Sequence, residues 1–122
     1  MKTPKFLFRG DNQGMIDQFN TSNGKFIRSY NFGYTPIHSL VANYLYLFSS
    51  DQSGTVKKNI ITHSNPYQLI EEYRFNNLHD SPIRAMALSG DFLFTASLDG
   101  DIKQTSITTN QIIKDYGDIY LD

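Results

Sequence analysis

Three aromatic–Leu–Phe triplets divide the chain into repeats. They are Phe6-Leu7-Phe8, Tyr46-Leu47-Phe48 and Phe92-Leu93-Phe94. After the same interval, each triplet is followed by a glycine and then by a β-branched residue: Gly14 and Ile16, Gly54 and Val56, Gly100 and Ile102. Internal repetition constrains the fold strongly, because each repeat is one small structural unit that buries its apolar face against its neighbours.

Short runs rich in Phe, Tyr, Ile and Val alternate with turns that contain glycine, which is the pattern of β-strands joined by hairpins. The turns after the triplets are Asn12-Gln13-Gly14, Gln52-Ser53-Gly54 and Leu98-Asp99-Gly100. Each triplet is apolar at consecutive positions, so both faces of its strand need covering. We therefore predict an all-β chain of small antiparallel sheets stacked face to face, with the triplets as central strands buried on both sides.

The stretch from His79 to Lys103, HDSPIRAMALSGDFLFTASLDGDIK, resembles a WD repeat. That family forms four-stranded blades of a β-propeller, with about 40–45 residues per blade. The resemblance implies one domain over residues 1–122, with about three consecutive four-stranded antiparallel blades. We expect a partial blade at 5–33, blades at 35–75 and 81–117, and the start of a further strand at 118–122.

The same resemblance implies a structural hydrogen-bond network in the third repeat. His79 matches the family's loop histidine, Asp99 its turn aspartate and Thr95 its strand hydroxyl. The place of the family's tryptophan holds Thr105, and the chain has no tryptophan at all, so the network is incomplete.

Three blades are too few for a closed ring, since propellers close with roughly 4–8 blades. Three alternatives follow. Two copies could form a six-bladed ring, the chain could be a fragment or divergent remnant of a longer propeller, or it could be an open stack that pairs with another protein. In each case the end blades have apolar faces that need cover, so we expect self-association or another subunit there.

Charge and composition argue against several classes of protein. The net charge is −1 and the isoelectric point about 6.3, whereas a protein that follows a phosphate backbone carries a basic surface. The chain has no cysteine, no apolar signal-peptide core and no run of about 20 apolar residues. We therefore expect a cytoplasmic protein that binds neither nucleic acid nor a membrane.

The motifs of common catalytic and metal sites are missing from the sequence. The histidines are His38, His63 and His79, and none has HExxH spacing; GxSxG and the phosphate-binding GxxxxGK[ST] do not occur either. No second metal ligand stands at a suitable spacing from His79. The sequence predicts no enzyme activity, no catalytic residue, no cofactor and no metal site.

Three residues are candidates for binding a partner. Leu98 is a large apolar residue in a hairpin turn, where the other repeats have Gln13 and Ser53, and it could instead pack on a neighbouring loop. His38 and Arg84 both follow a Pro-Ile pair, and the WD-repeat resemblance places that region on the rim where propellers bind partners; they could equally be solvated side chains.

We expect a non-catalytic scaffold that displays its loops to a protein or peptide. The alternative is a structural subunit, or a propeller fragment, that completes a larger assembly. Lys57 and Lys58 are expected to face solvent.

Overall fold

The computed structural model describes residues 5–118, which form eleven β-strands and no helix. No helix long and apolar enough to span a membrane occurs in this range. The first sheet contains β1 (Phe6–Gly10), β2 (Met15–Asn20) and β3 (Lys25–Asn31). The second contains β4 (Ile37–Ala42), β5 (Tyr46–Asp51), β6 (Val56–Ile61) and β7 (Leu69–Phe75). The third contains β8 (Ile83–Ser89), β9 (Phe92–Ser97), β10 (Asp101–Ser106) and β11 (Ile112–Asp118).

Within each sheet the strands pair antiparallel in chain order, so each repeat is a simple meander. The predicted all-β fold, three consecutive sheets of an incomplete propeller, is confirmed. Among the described residues the first sheet has three strands, and no strand pairs with β1 on the side where β4 and β8 lie in the other sheets. Asp118 is the last residue of β11, and the rest of the strand expected at 118–122 lies outside the described residues.

Glycine is required where the turn between the second and third strands of a sheet touches the connection to the next sheet. Gly54 has a φ of +83°, and a Cβ atom there would lie 2.2 Å from the carbonyl oxygen of His79. Gly14 has the same conformation and would meet the carbonyl oxygen of Gly33 at 2.4 Å. A side chain at either position would push neighbouring sheets apart, which explains the glycine in these turns.

The apolar core consists of two layers, one between each pair of neighbouring sheets. Ile16, Leu47 and Ile61 form the first interface, between the first and second sheets, with Phe6, Phe8, Phe32, Ile37, Leu40 and Leu69 packed around them. The second interface, between the second and third sheets, contains Phe48, Val56, Phe75, Leu78, Ile83, Leu93 and Ile107. The core is therefore made by stacking sheets, as apolar residues at consecutive strand positions require.

The prediction that all three triplets are central strands was wrong for the first. Leu47 and Leu93 are 1% and 0% exposed, but Leu7, at the same place in the first repeat, is 59% exposed. The strand β1 lies at the edge of its sheet, and no sheet among the described residues packs on the face that carries Leu7.

The expectation that Lys57 and Lys58 face solvent was also wrong. Lys58 is 1% exposed, and its Nζ donates hydrogen bonds to the carbonyl oxygen of Ile107 (2.6 Å) and to Oδ1 of Asn110 (3.1 Å). Lys57 is half-buried and donates to the carbonyl oxygen of Phe32 at 2.6 Å. Both lysines bond to backbone in a neighbouring repeat, so they hold sheets together.

Candidate partner-binding surface

One end of the stacked sheets carries the loops that the sequence associates with partner binding. Because the strands run antiparallel in chain order, the turns at 11–14, 52–55 and 98–100 lie at the same end as the connections at 32–36 and 76–82. Backbone bonds link them: the amide of Leu98 donates to Pro82 O (2.9 Å) and that of Ile37 to Asp11 O (2.9 Å). We call this end, together with His38 and Arg84, the loop face.

His38 and Arg84 occupy equivalent irregular positions on the loop face. The strand register shifts between Ile37 and Ser39 and again between Ile83 and Ala85, so each residue is the extra one in a bulge. A bulge re-aims a side chain away from the ladder, and both side chains are exposed. Nε2 of His38 lies 2.5 Å from Oε1 of Gln52, an oxygen that only accepts, so this nitrogen is the donor.

Apolar side chains are exposed on the same face. Leu98 is 56% exposed in its turn, so a neighbouring loop among the described residues does not bury it. Tyr34, in the connection between the first and second sheets, is 90% exposed. Sequence reasoning missed Tyr34, although an aromatic residue between Gly33 and Pro36, two residues that favour loops, was a usable signal.

His79 and Thr95 form the buried pair at the centre of the expected network. Nε2 of His79, which is 1% exposed, lies 2.7 Å from Oγ1 of Thr95. The carboxylate of Asp99 accepts instead from the hydroxyl of Ser97 and from the amide of Asp101. Nδ1 of His79 and Oγ1 of Thr105 have no hydrogen-bond partner among the described residues. Thr105, at the place of the tryptophan, therefore adds no side-chain hydrogen bond to this pair among the described residues.

Two carboxylates do approach His79, contrary to the expectation from sequence spacing. The ligand atoms of His79, Asp99 and Asp101 lie within 4.8 Å of one another, close enough to hold a metal ion. Burial of the ring lowers the pKa of His79, and the charge of Lys103 lowers it further, against the opposing effect of Asp101 and Asp99. Asp99 is exposed and Asp101 is only half-buried, and exposed acidic groups commonly cluster without an ion, so we assign this cluster no metal.

A concavity lies between the first and second sheets, at the end of the strands opposite the loop face. It has a volume of about 340 Å³, and its lining includes Phe6, Tyr44, Ile61 and His63. The rings of Tyr44 and His63 stack at 4.0 Å. Among the described residues, its lining combines apolar side chains with four polar ones, Lys5, Asn43, Tyr44 and His63, and includes no carboxylate.

No family model matches the chain, and no curated protein matches it. Solved structures do match. The computationally designed protein Ika4 has a TM-score of 0.74 and 23% identity, over 97% of this chain and 69% of that one. The β-propeller domain of Myceliophteria thermophila Cps50 (Swd1) has a TM-score of 0.71 and 15% identity, over 90% and 37%. Saccharomyces cerevisiae Sqt1 has a TM-score of 0.74 and 14% identity, over 90% and 30%.

These similarities concern the fold. The chain has a β-propeller-like fold and spans about a third of the length of Cps50 and Sqt1, and 34% of a second designed protein, Ika8.

Proposed function

We propose that this chain is a divergent WD-repeat module, without catalytic activity, that binds a protein or peptide at its loop face. The observation that carries the proposal is the exposure of Tyr34 and Leu98 on the face where bulges also present His38 and Arg84. Loops held by rigid sheets are where binding residues concentrate. Aromatic and arginine side chains are also the ones that most often dominate the energetics of protein interfaces.

The chemistry of this surface suits a peptide with apolar side chains. Tyr34 and Leu98 offer apolar area that is already exposed, and the guanidinium of Arg84 offers donors for backbone carbonyl or carboxylate oxygens. Because the loops are tied to the strands by backbone hydrogen bonds, little ordering is needed on binding. We place the module in the cytoplasm, in keeping with a chain that has no cysteine.

Selection of displayed random peptides on the purified chain tests the proposal. Peptides that bind should lose at least about tenfold in affinity for a Tyr34→Ala, Leu98→Ala double variant, which corresponds to roughly 1.4 kcal/mol. The matched control is Tyr44→Ala with Leu45→Ala, because these residues are 59% and 54% exposed at the opposite end of the sheets. Peptides that bind the loop-face variant as well as the wild type would contradict the proposal.

A second candidate function is that of a structural subunit whose end sheets complete a larger assembly. It is favoured by Leu7, which is exposed although its equivalents Leu47 and Leu93 are buried. Under this hypothesis the end sheets are covered by a second copy or by another subunit.

A further inference from the structure

The face of the first sheet that carries Leu7 is exposed among the described residues. At the same repeat position, the faces that carry Leu47 and Leu93 are each covered by the preceding sheet of the chain. Leu47 is covered by the first sheet, through Phe6, Phe8 and Ile16. Leu93 packs in the same way in the second interface, with Phe48 and Val56 of the second sheet. The two internal interfaces therefore show what kind of surface fits over a leucine at this repeat position: an aromatic triplet together with the β-branched residue of the next strand.

The third sheet presents that surface on its outer side. Phe92, Phe94 and Ile102 occupy the places of Phe6, Phe8 and Ile16 in the repeat. Ile102 is only half-buried, whereas Ile16 is fully buried in the first interface; Phe92 and Phe94 are half-buried, as Phe6 and Phe8 are.

A polar pair is repeated as well. The hydroxyl of Tyr116 donates to Oε1 of Gln104 at 3.1 Å, as that of Tyr30 does to Gln18 at 2.5 Å. The outer face of the third sheet thus closely matches the face that the first sheet lays on the second.

We infer that a second copy of this chain docks head to tail, with the outer face of its third sheet on the Leu7 face of the first. Two such contacts related by a two-fold axis close a ring of six sheets, which lies within the roughly 4–8 blades of known propellers. The inference deepens the second candidate function by naming the partner. It leaves the loop face of each copy free.

Both internal interfaces use a lysine, and in the contact between copies Arg9 would take its place. Lys57 and Lys103 donate to the carbonyl oxygens of Phe32 and Leu78, in the connections before their own sheets. The same repeat position in the first sheet holds Asp17, which bonds to Arg9 at 2.7 Å. The Arg9 side chain is 67% exposed, and only its Nε and one terminal nitrogen donate to a side chain among the described residues, although a guanidinium has five N–H groups. Its other N–H groups can donate to backbone carbonyls at the end of the partner's β11.

Light scattering after size exclusion tests the inference on the whole chain. Wild-type protein should have twice the chain mass of 14.0 kDa. Leu7→Asp and Ile102→Asp, on opposite end faces, should each be monomeric. The matched control is Leu45→Asp, because Leu45 is 54% exposed and lies on neither end face; this variant should remain a dimer.

Mixing the two monomeric variants separates head-to-tail docking from a symmetric contact of like faces. A mixture of Leu7→Asp and Ile102→Asp retains one contact with both faces intact, so it should form a heterodimer of twice the chain mass. Circular dichroism and thermal melts of each variant establish that it is folded. If Ile102→Asp is not folded, Gln104→Arg replaces it, since Gln104 is half-buried on the same face.

Three results would overturn the inference: a wild-type monomer at micromolar concentration, a dimer broken by only one of the two substitutions, or a species whose mass grows with concentration. Peptide binding at the loop face is measured separately on the same samples. A monomer that binds peptides normally would rule out docking of a second copy and would leave the proposed peptide binding at the loop face unaffected.

Discussion

The ammonium group of Lys58 donates a 2.6 Å hydrogen bond to the backbone carbonyl of Ile107, and that bond joins the second sheet to the third. The same nitrogen lies 3.0 Å from a carboxylate oxygen of Glu72 and 4.5 Å from the centre of the Tyr46 ring. A buried lysine therefore links the second sheet to the turn that follows β10 in the third repeat.

Replacing this lysine should destabilise the chain. Lys58→Ala leaves the Ile107 carbonyl and the Asn110 amide without their donor, so we expect a loss of roughly 1–3 kcal/mol in the free energy of unfolding, measured by urea melts. Lys25→Ala is the control, because Lys25 is exposed and surface substitutions change the unfolding free energy by no more than about 0.5 kcal/mol. Equal, small effects of the two substitutions would mean that the hydrogen bonds of Lys58 contribute little to the free energy of unfolding.

The stability of the chain should fall as the pH drops below about 7.5, one unit above the ordinary histidine pKa of 6.5, because of His79. Burial of the ring, and next the charge of Lys103, lower the pKa of His79 from its ordinary value of 6.5. In that range the unfolded chain binds a proton more readily than the folded one. The stabilisation is therefore complete above the ordinary pKa and is lost as the pH falls toward the lower, folded-state pKa.

Urea melts across that pH range measure the effect. His79→Gln should flatten the dependence of the unfolding free energy on pH. A His79→Gln profile that keeps the wild-type slope would show that another group is responsible.

The sequence predicted the repeats, the strands and the buried leucines of the second and third sheets, because these depend on local pattern. A triplet apolar at consecutive positions requires cover on both faces, and Leu47 and Leu93 have it. Leu7 has the same local pattern, yet its burial depends on a neighbouring sheet that the described residues do not contain. Pattern alone does not reveal whether that neighbour is present.

The buried lysine and the exposed tyrosine were not predictable for a related reason. Lys58 is buried because a carbonyl of Ile107, in the next repeat, faces it, and a charge pair in a strand is otherwise expected to be solvated. The exposure of Tyr34 depends on where the connection at 32–36 runs over the loop face. Both features arise from contacts between repeats rather than within one.

Turn glycines should differ in their tolerance of alanine according to their neighbours. Gly54→Ala would place a methyl group 2.2 Å from a backbone oxygen of His79, so neighbouring sheets must shift. Gly24 has a similar φ of +71° but open space around it, so Gly24→Ala should cost only about 1 kcal/mol of backbone strain. Urea melts should show a clearly larger loss for Gly54→Ala; equal losses would contradict the close packing of turn and connection.

Leucine-to-alanine substitutions at the three equivalent repeat positions test the stacking of the sheets most directly. Leu47→Ala and Leu93→Ala remove fully buried side chains, so each should lower the unfolding free energy by about 2–5 kcal/mol. Leu7→Ala should change it by no more than about 0.5 kcal/mol when melts are made on dilute, monomeric protein, since surface substitutions have small effects. If Leu7→Ala costs as much as Leu47→Ala, or if Leu47→Ala and Leu93→Ala are neutral, the sheets do not stack as described.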